Sequence, residues 1–273
     1  MSNSPLRYPG GKAKIYPVVK NIIITNNLSN KIYVEPFAGG FGLGLKLMLN
    51  GDIERFIIND YDRHIYAFWK SVFSNTKRLI EKITTTNITI EEWHRQKNIY
   101  DNHKEYSILD VGFSTLFLNR TNYSGILMSG PIGGFDQERD YKIDCRFNKE
   151  RIIELIRKIA AHKKNVKVYR KDAIKLIKKL KPIEQEVFYN FDPPYVNKGK
   201  ELYLNALVQQ DHIDLKNEID DVRTEWIMTY DNHNLIKGLY QSYHKIEFDL
   251  LYSVSSKRKE KELMISNIVL QVA

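Results

Sequence analysis

The order of apolar runs along the 273 residues predicts an α/β fold, a mostly parallel sheet interrupted by a mainly helical insertion. Three observations lead there. Short apolar runs alternate with helical periodicity at both ends of the chain. From about Arg63 to His162 that alternation stops and the pattern is mainly helical. Glu35, Asp60, Asp172 and Asp192 each follow an apolar run or the short turn after one, where open α/β sheets bind their ligands. The expected division is a sheet domain from residues 1–62 and 163–273 and an inserted helical domain at 63–162.

The first strand, Ile32 to Val34, runs into Glu35-Pro36-Phe37-Ala38-Gly39-Gly40-Phe41-Gly42-Leu43-Gly44. Glycines after a strand let a ligand approach the backbone closely. Their spacing excludes a dinucleotide fingerprint, because the third glycine of G-x-G-x-x-G would fall on Leu45 or Leu47, and no Walker lysine follows Gly44. A second strand, Phe56 to Ile58, ends at Asn59 and Asp60, where an acid binds ribose hydroxyls in nucleoside-binding α/β folds. An adenosine-containing cofactor without pyrophosphate satisfies both facts, and S-adenosylmethionine is one. Asp60 has an alternative use, as the cap of a helix starting near Tyr61.

Within the helical middle, Thr89 and Glu92 make a capping-box signal for the segment around Trp93 to Tyr100. Strand signals resume at Val166 to Tyr169, Val187 to Phe191, Trp226 to Tyr230, Lys245 to Tyr252 and Met264 to Val272. The run Val187 to Phe191 ends in Asp192-Pro193-Pro194-Tyr195. Each proline fixes its own φ and biases the residue before it away from helix, so the chain leaves the strand as a stiff extended corner. The Asp192 carboxylate and the Pro193 carbonyl become neighbouring acceptors beside the Tyr195 ring, a set suited to a planar exocyclic amine such as adenine N6. Asp-Pro alone is a common turn; the whole tetrapeptide after a strand carries the functional reading.

Bulk properties narrow the partners. The formal net charge is +9, and from Arg146 to Lys181 there are 14 basic and 3 acidic residues, which suggests a polyanion; a lysine-rich solvated face is the plainer reading. Cys145 is the single cysteine and the seven histidines have no metal-site spacing, so neither an internal disulfide nor a metal is expected. No apolar run approaches a membrane span and the start lacks a signal-peptide pattern, so a soluble intracellular protein is expected.

Five segments in order, Pro5-Leu6-Arg7-Tyr8-Pro9-Gly10-Gly11-Lys12, Val34 to Gly40, Leu118-Asn119-Arg120-Thr121-Asn122-Tyr123-Ser124-Gly125, Asp192 to Tyr195 and Lys261-Glu262-Leu263-Met264-Ile265-Ser266-Asn267, resemble the Dam-type DNA adenine-N6 methyltransferases. The resemblance spans nearly the whole chain and departs after Gly125, where ILMSGPIGGF stands at 126–135. It implies a Rossmann-like methyltransferase sheet ending in an antiparallel hairpin, with 63–162 as the target-recognition insertion and the last two strands joined by Ser255 to Lys261.

The resemblance further implies S-adenosylmethionine as cofactor, bound by Tyr8, Lys12, Glu35, Phe37, Gly39, Asp60, Asp172 and Asp192, with Asp192, Pro193, Pro194 and Tyr195 as the catalytic corner. Asp172 equally suits a helix cap. Asn119, Arg120 and Tyr123 become candidates for duplex DNA, with a core role anchoring the following loop as the alternative for Arg120 and Tyr123. The segment Val196 to Gln210 is expected to close over a flipped adenine. A monomeric, cytoplasmic, nucleoid-associated protein of bacterial or phage origin, with or without a cognate restriction nuclease, completes the expectation. The competing readings are a methyltransferase of RNA or another planar amine, and a DNA-binding protein without catalysis.

Overall fold

The computed structural model describes residues 4–7, 12–196, 207–253 and 257–270, with backbone alone for 249–253 and 257–260. Seven strands form one sheet: β1 (Ile32–Glu35), β2 (Arg55–Asn59), β3 (Val166–Tyr169), β4 (Val187–Phe191), β5 (Trp226–Asp231), β6 (His244–Ser253) and β7 (Lys257–Ser266). Their order is β3-β2-β1-β4-β5-β7-β6. The first five pair in parallel, and β7 lies antiparallel against both β5 and β6.

Strands buried on both faces read as continuous apolar runs, which is why VFYNF in β4 is buried at every position. Successive side chains serve opposite layers. Tyr33, Phe56, Ile58 and Phe188 join one core with Val19, Leu45 and Trp69, whereas Val34, Ile57, Tyr189 and Phe191 join the other with Leu176, Ile219 and Ile236. The first layer is built by α1 (Tyr16–Thr25) and α2 (Gly42–Leu49) with helices from the middle of the chain; the second includes α8 (Ala173–Leu180) and the helix Gln209–Asp220.

Between β2 and β3 lie α3 (Arg63–Ser74), α4 (Thr76–Thr85), α5 (Ile90–Asp101), α6 (Ile108–Thr121) and α7 (Lys149–Ala160). Thr89 caps α5 by accepting the Glu92 amide. Trp69 and Phe68 of α3 share one core with Tyr33 and Phe56, so the middle helices pack directly on the sheet. The α3 and α6 backbones meet at Gly112, where a Cβ would stand 2.5 Å from the Ala67 carbonyl oxygen.

The last strand differs from its sequence expectation. It begins at Lys257 and ends at Ser266, rather than running from 264 to 272, so residues 257–261 are strand and not connection. β5 pairs with β7 only as far as Glu262, and beyond it Lys257 to Lys261 pair, among the described residues, with β6 alone. A two-stranded ribbon with no third neighbour needs no apolar alternation, so its charged sequence resembles a hairpin tip.

No helix among the described residues is long and apolar enough to cross a membrane.

Candidate active site at the switch point

Strand order reverses between β1 and β4, so the loops leaving their carboxyl ends diverge and open a crevice. One wall is the glycine-rich loop. Its Ala38 amide donates to the Asn59 carbonyl and its Gly39 amide to Asp60 Oδ2, 2.9 Å each, while Trp69 Nε1 donates to the Gly39 carbonyl at 2.9 Å. Gly39 has φ 46° and Phe41 φ 49°, both left-handed. The loop is therefore held in shape from β2 and α3. Asn59 extends the bracing: its amide donates to the carbonyls of Pro36 and Lys171, and its oxygen accepts the Lys171 amide.

Glu35 lies beneath that loop, 4% exposed. Its Oε1 accepts from Tyr33 OH at 2.8 Å, the Gly44 amide at 3.2 Å and Asn190 Nδ2 at 3.5 Å. Burial pushes its carboxyl up to about 8, although the Tyr33 hydroxyl pulls the other way. Among the described residues no cation pairs with it. Asp60, half-buried, is pushed up to about 7, mainly by burial and then by the nearby Asp62 charge. It accepts the Gly39 and Asp62 amides, one on each oxygen, and does not cap the following helix; Asp62 does, accepting the His64 amide. Among the described residues neither carboxyl group has a cationic partner, so a ligand that brings positive charge and hydroxyls would draw them toward the ionised form. Phe37 is half-buried and packs against the second core. Asp172 is exposed and caps α8 through the Lys175 amide, so the capping use is the one the structure displays.

The opposite wall is the proline corner. Asp192 Oδ1 accepts from Thr229 Oγ1 at 2.8 Å and pairs with Lys12 Nζ at 3.0 Å. Both partners sit on one oxygen. Burial raises the Asp192 carboxyl above the ordinary range, with Lys12 and Thr229 acting against it, so it is a stronger base than the weak carboxylate expected from the free side chain. Lys12 Nζ also lies 3.8 Å from Glu262 Oε2 and 4.9 Å from the Tyr195 ring centroid. Pro193 is buried, and among the described residues no backbone amide donates to its carbonyl. Tyr195 packs against Tyr230, ring centroids 6.1 Å apart, and the Val196 amide reaches Asp231 Oδ1.

Asn119 and Arg120 depart from the expectation of DNA contact. Asn119 is 2% exposed; its amide holds the carbonyls of Arg7 and Gly125, and its oxygen accepts the Arg7 amide. Arg120 Nε donates to the Pro5 carbonyl at 2.6 Å and its Nη2 to that of Ser4, and burial takes the guanidinium down to about 10. A motif ending an apolar helix faces inward, so these polar groups satisfy buried backbone. Tyr123 does face outward, 39% exposed, and receives a 2.6 Å bond from Arg139 Nη1. Tyr8 and residues 197–206 of the expected lid, including Gly199 and Tyr203, lie outside the described residues.

Thr229, Glu262, Asn190 and Arg139 went unassigned in the sequence. Only Glu262 carried a signal, as part of the Lys261 to Asn267 segment.

This sheet, with its glycine-rich loop after β1 and its proline corner after β4, defines the Rossmann-like methyltransferase class. The chain belongs to the D12 class N6 adenine-specific DNA methyltransferase family, whose model matches residues 8–254, and it is an adenine-specific DNA methyltransferase. It is 24% identical over 264 residues to the Type II methyltransferase M.MjaIII of Methanocaldococcus jannaschii, covering 90% of this chain and 86% of that protein. A candidate RNA methyltransferase of Pyrococcus horikoshii superposes with a TM-score of 0.44 and 9% identity over 96% of this chain and 84% of that one.

Proposed function

We propose that the crevice binds S-adenosylmethionine against the β1 loop and an adenine rotated out of duplex DNA against the proline corner, with Asp192 and the Pro193 carbonyl as the two acceptors for N6. The single observation that carries this is the pairing on Asp192: Thr229 and Lys12 both hold Oδ1, while Oδ2 and the Pro193 carbonyl have no partner among the described residues. When bound, S-adenosylmethionine supplies an electrophilic methyl group. Glu35 answers the positive charge of the cofactor and Asp60 its ribose hydroxyls, which the uncompensated carboxyl groups favour.

The N6 lone pair of adenine is delocalised into the ring. Two acceptors taking the N6 hydrogens draw the nitrogen toward tetrahedral geometry and free that lone pair for attack. Methyl transfer would break the methyl–sulfur bond, leave its electron pair on sulfur and place positive charge on N6 beside Asp192, whose carboxylate would stabilise it. The surplus N6 proton then departs late, and the raised basicity of Asp192 assists that departure. Tyr195 offers a ring for the base.

Segment 63–162 is the target-recognition unit in this reading, and exposed Tyr123 with Arg139 is its surface for bases or phosphates, supported by a 5.6 Å stack of guanidinium on ring. The basic stretch 146–181 follows the DNA backbone. Monomeric action in the compartment that holds the DNA, with or without a partner nuclease, fits the same picture.

Transfer of labelled methyl groups to duplex DNA tests the assignment. Asp192→Ala and Asp192→Asn are expected to abolish turnover while circular dichroism and melting stay near those of the parent. Near-normal turnover in Asp192→Ala would remove Asp192 from the chemistry. Modified-base sequencing of DNA from expressing cells identifies both the methylated atom and the recognised site.

A further inference from the structure

We infer that Thr229 is a positioning residue of the methyl-transfer reaction, acting through Asp192: its hydroxyl, together with Lys12, fixes the carboxylate so that one oxygen is committed to the protein and the other is presented to the base. The inference rests on the role proposed above for Asp192 and adds a residue to it.

The geometry is specific. Thr229 stands inside β5, the strand beside β4, and is fully buried. In a strand otherwise reading Trp226, Ile227, Met228 and Tyr230, a buried hydroxyl costs free energy unless it is bonded, and its hydrogen bond runs to Asp192 Oδ1 at 2.8 Å. A hydroxyl on a β-branched residue within a sheet has little rotational freedom, so the acceptor it holds is held in direction as well as distance. Lys12 reaches the same oxygen from the N-terminal segment at 3.0 Å. Among the described residues, Asp192 thus takes its donors from two unconnected parts of the chain, one rigid and one on a flexible lysine stem. The rigid one decides the plane of the carboxylate, because rotating the group about its Cβ–Cγ bond lengthens the Thr229 bond while Lys12 can follow.

Among the described residues, the charged and titratable groups around this carboxylate include Lys12, its second anion Glu262, Glu35 across the crevice, and the hydroxyls of Tyr33 and Tyr230. Of these and Thr229, only Lys12 and Thr229 lower the proton affinity of Asp192. Removing the hydroxyl therefore has two effects: the carboxylate loses its fixed orientation, and it protonates at a higher pH.

The test compares Thr229→Val, which keeps the branched shape, with Thr229→Ser, which keeps the hydroxyl, and runs Asp192→Ala alongside. Binding of cofactor and DNA is measured by calorimetry, flipping by fluorescence of 2-aminopurine at the target position, and turnover across pH. The expected result for Thr229→Val is unchanged melting, binding and flipping, kcat lower by about a hundredfold, and an acid limb of the pH profile moved to higher pH. Thr229→Ser recovers most of both. Parental kcat and an unmoved acid limb in Thr229→Val, or in Thr229→Ala should valine not fold, overturn the inference, as does a serine variant impaired as badly as valine. An active Asp192→Ala sinks the Asp192 assignment itself, so the two failures are distinct.

Discussion

Asn119 and Arg7, 112 residues apart, exchange two hydrogen bonds: the Arg7 amide donates to Asn119 Oδ1 at 2.6 Å and Asn119 Nδ2 donates to the Arg7 carbonyl at 2.9 Å. The side chain imitates a neighbouring strand, and a second bond from Nδ2 to the Gly125 carbonyl ties the end of α6 to the same point. Residues 4–7 are thereby moored to the middle helices.

Asn119→Ala leaves the Arg7 amide and two carbonyls without their partner, at a cost of about 1 to 3 kcal/mol. The expected outcome is a lower melting temperature and weakened cofactor binding, with the methylated sequence unchanged. Modified-base sequencing of the variant checks this, and a new recognition site would return Asn119 to the DNA interface.

Arg120 and Arg139 make a contrasting pair. Arg120 is spent on the Ser4 and Pro5 carbonyls, whereas Arg139 is exposed on the Tyr123 ring. Arg139→Ala should reduce the slope of log affinity against log salt by about 1, and Arg120→Ala should lower stability and leave that slope alone. Titrations of duplex DNA at several salt concentrations decide between them; equal slopes for both variants would refute the contrast.

Gly44 admits no side chain. A Cβ there would lie 2.2 Å from two atoms of the Phe41 ring, which is 1% exposed and cannot swing out. Gly44→Ala is expected to destabilise by about 1 to 3 kcal/mol and to disturb the amide that holds Glu35. Denaturant unfolding with and without cofactor measures both effects.

The Glu35 carboxyl predicts the pH dependence of stability. Its folded value, about 8, exceeds the ordinary 4.5, so between these limits the folded chain keeps a proton that the unfolded chain has released. Stability then falls as pH rises through that window. Asp60 adds to the trend between its ordinary 3.8 and about 7. Without cofactor, melting temperature should decline from about pH 5 to about pH 8, and Glu35→Gln should flatten that decline. A parental slope in the glutamine variant contradicts the assignment.

Much of this was legible in the chain. β3 and β4 begin and end where their apolar runs do, because both are short and bounded by turn residues. That Glu35, Asp60 and Asp192 gather at one edge was legible because Glu35 ends β1 and the other two directly follow β2 and β4, and a parallel sheet delivers its carboxyl ends to one edge. β7 was displaced because a ribbon paired on one side carries no apolar alternation. Arg120 and Asn119 misled because residue type tells what a group can bond, and not whether the bond goes to solvent or to buried backbone.

The sequence alone determined the α/β class, the glycine-rich loop and the stiff corner from Asp192 to Tyr195, since each depends on dihedral restrictions and apolar runs within a few residues. Tertiary structure alone decided that Thr229, Lys12 and Asp192 meet at one oxygen, that Glu35 stays without a cation among the described residues, and that Asn119 braces Arg7. Those relations join residues tens to more than a hundred positions apart. They arise from strand order and burial, which bring distant polar groups to where water no longer competes for their hydrogen bonds.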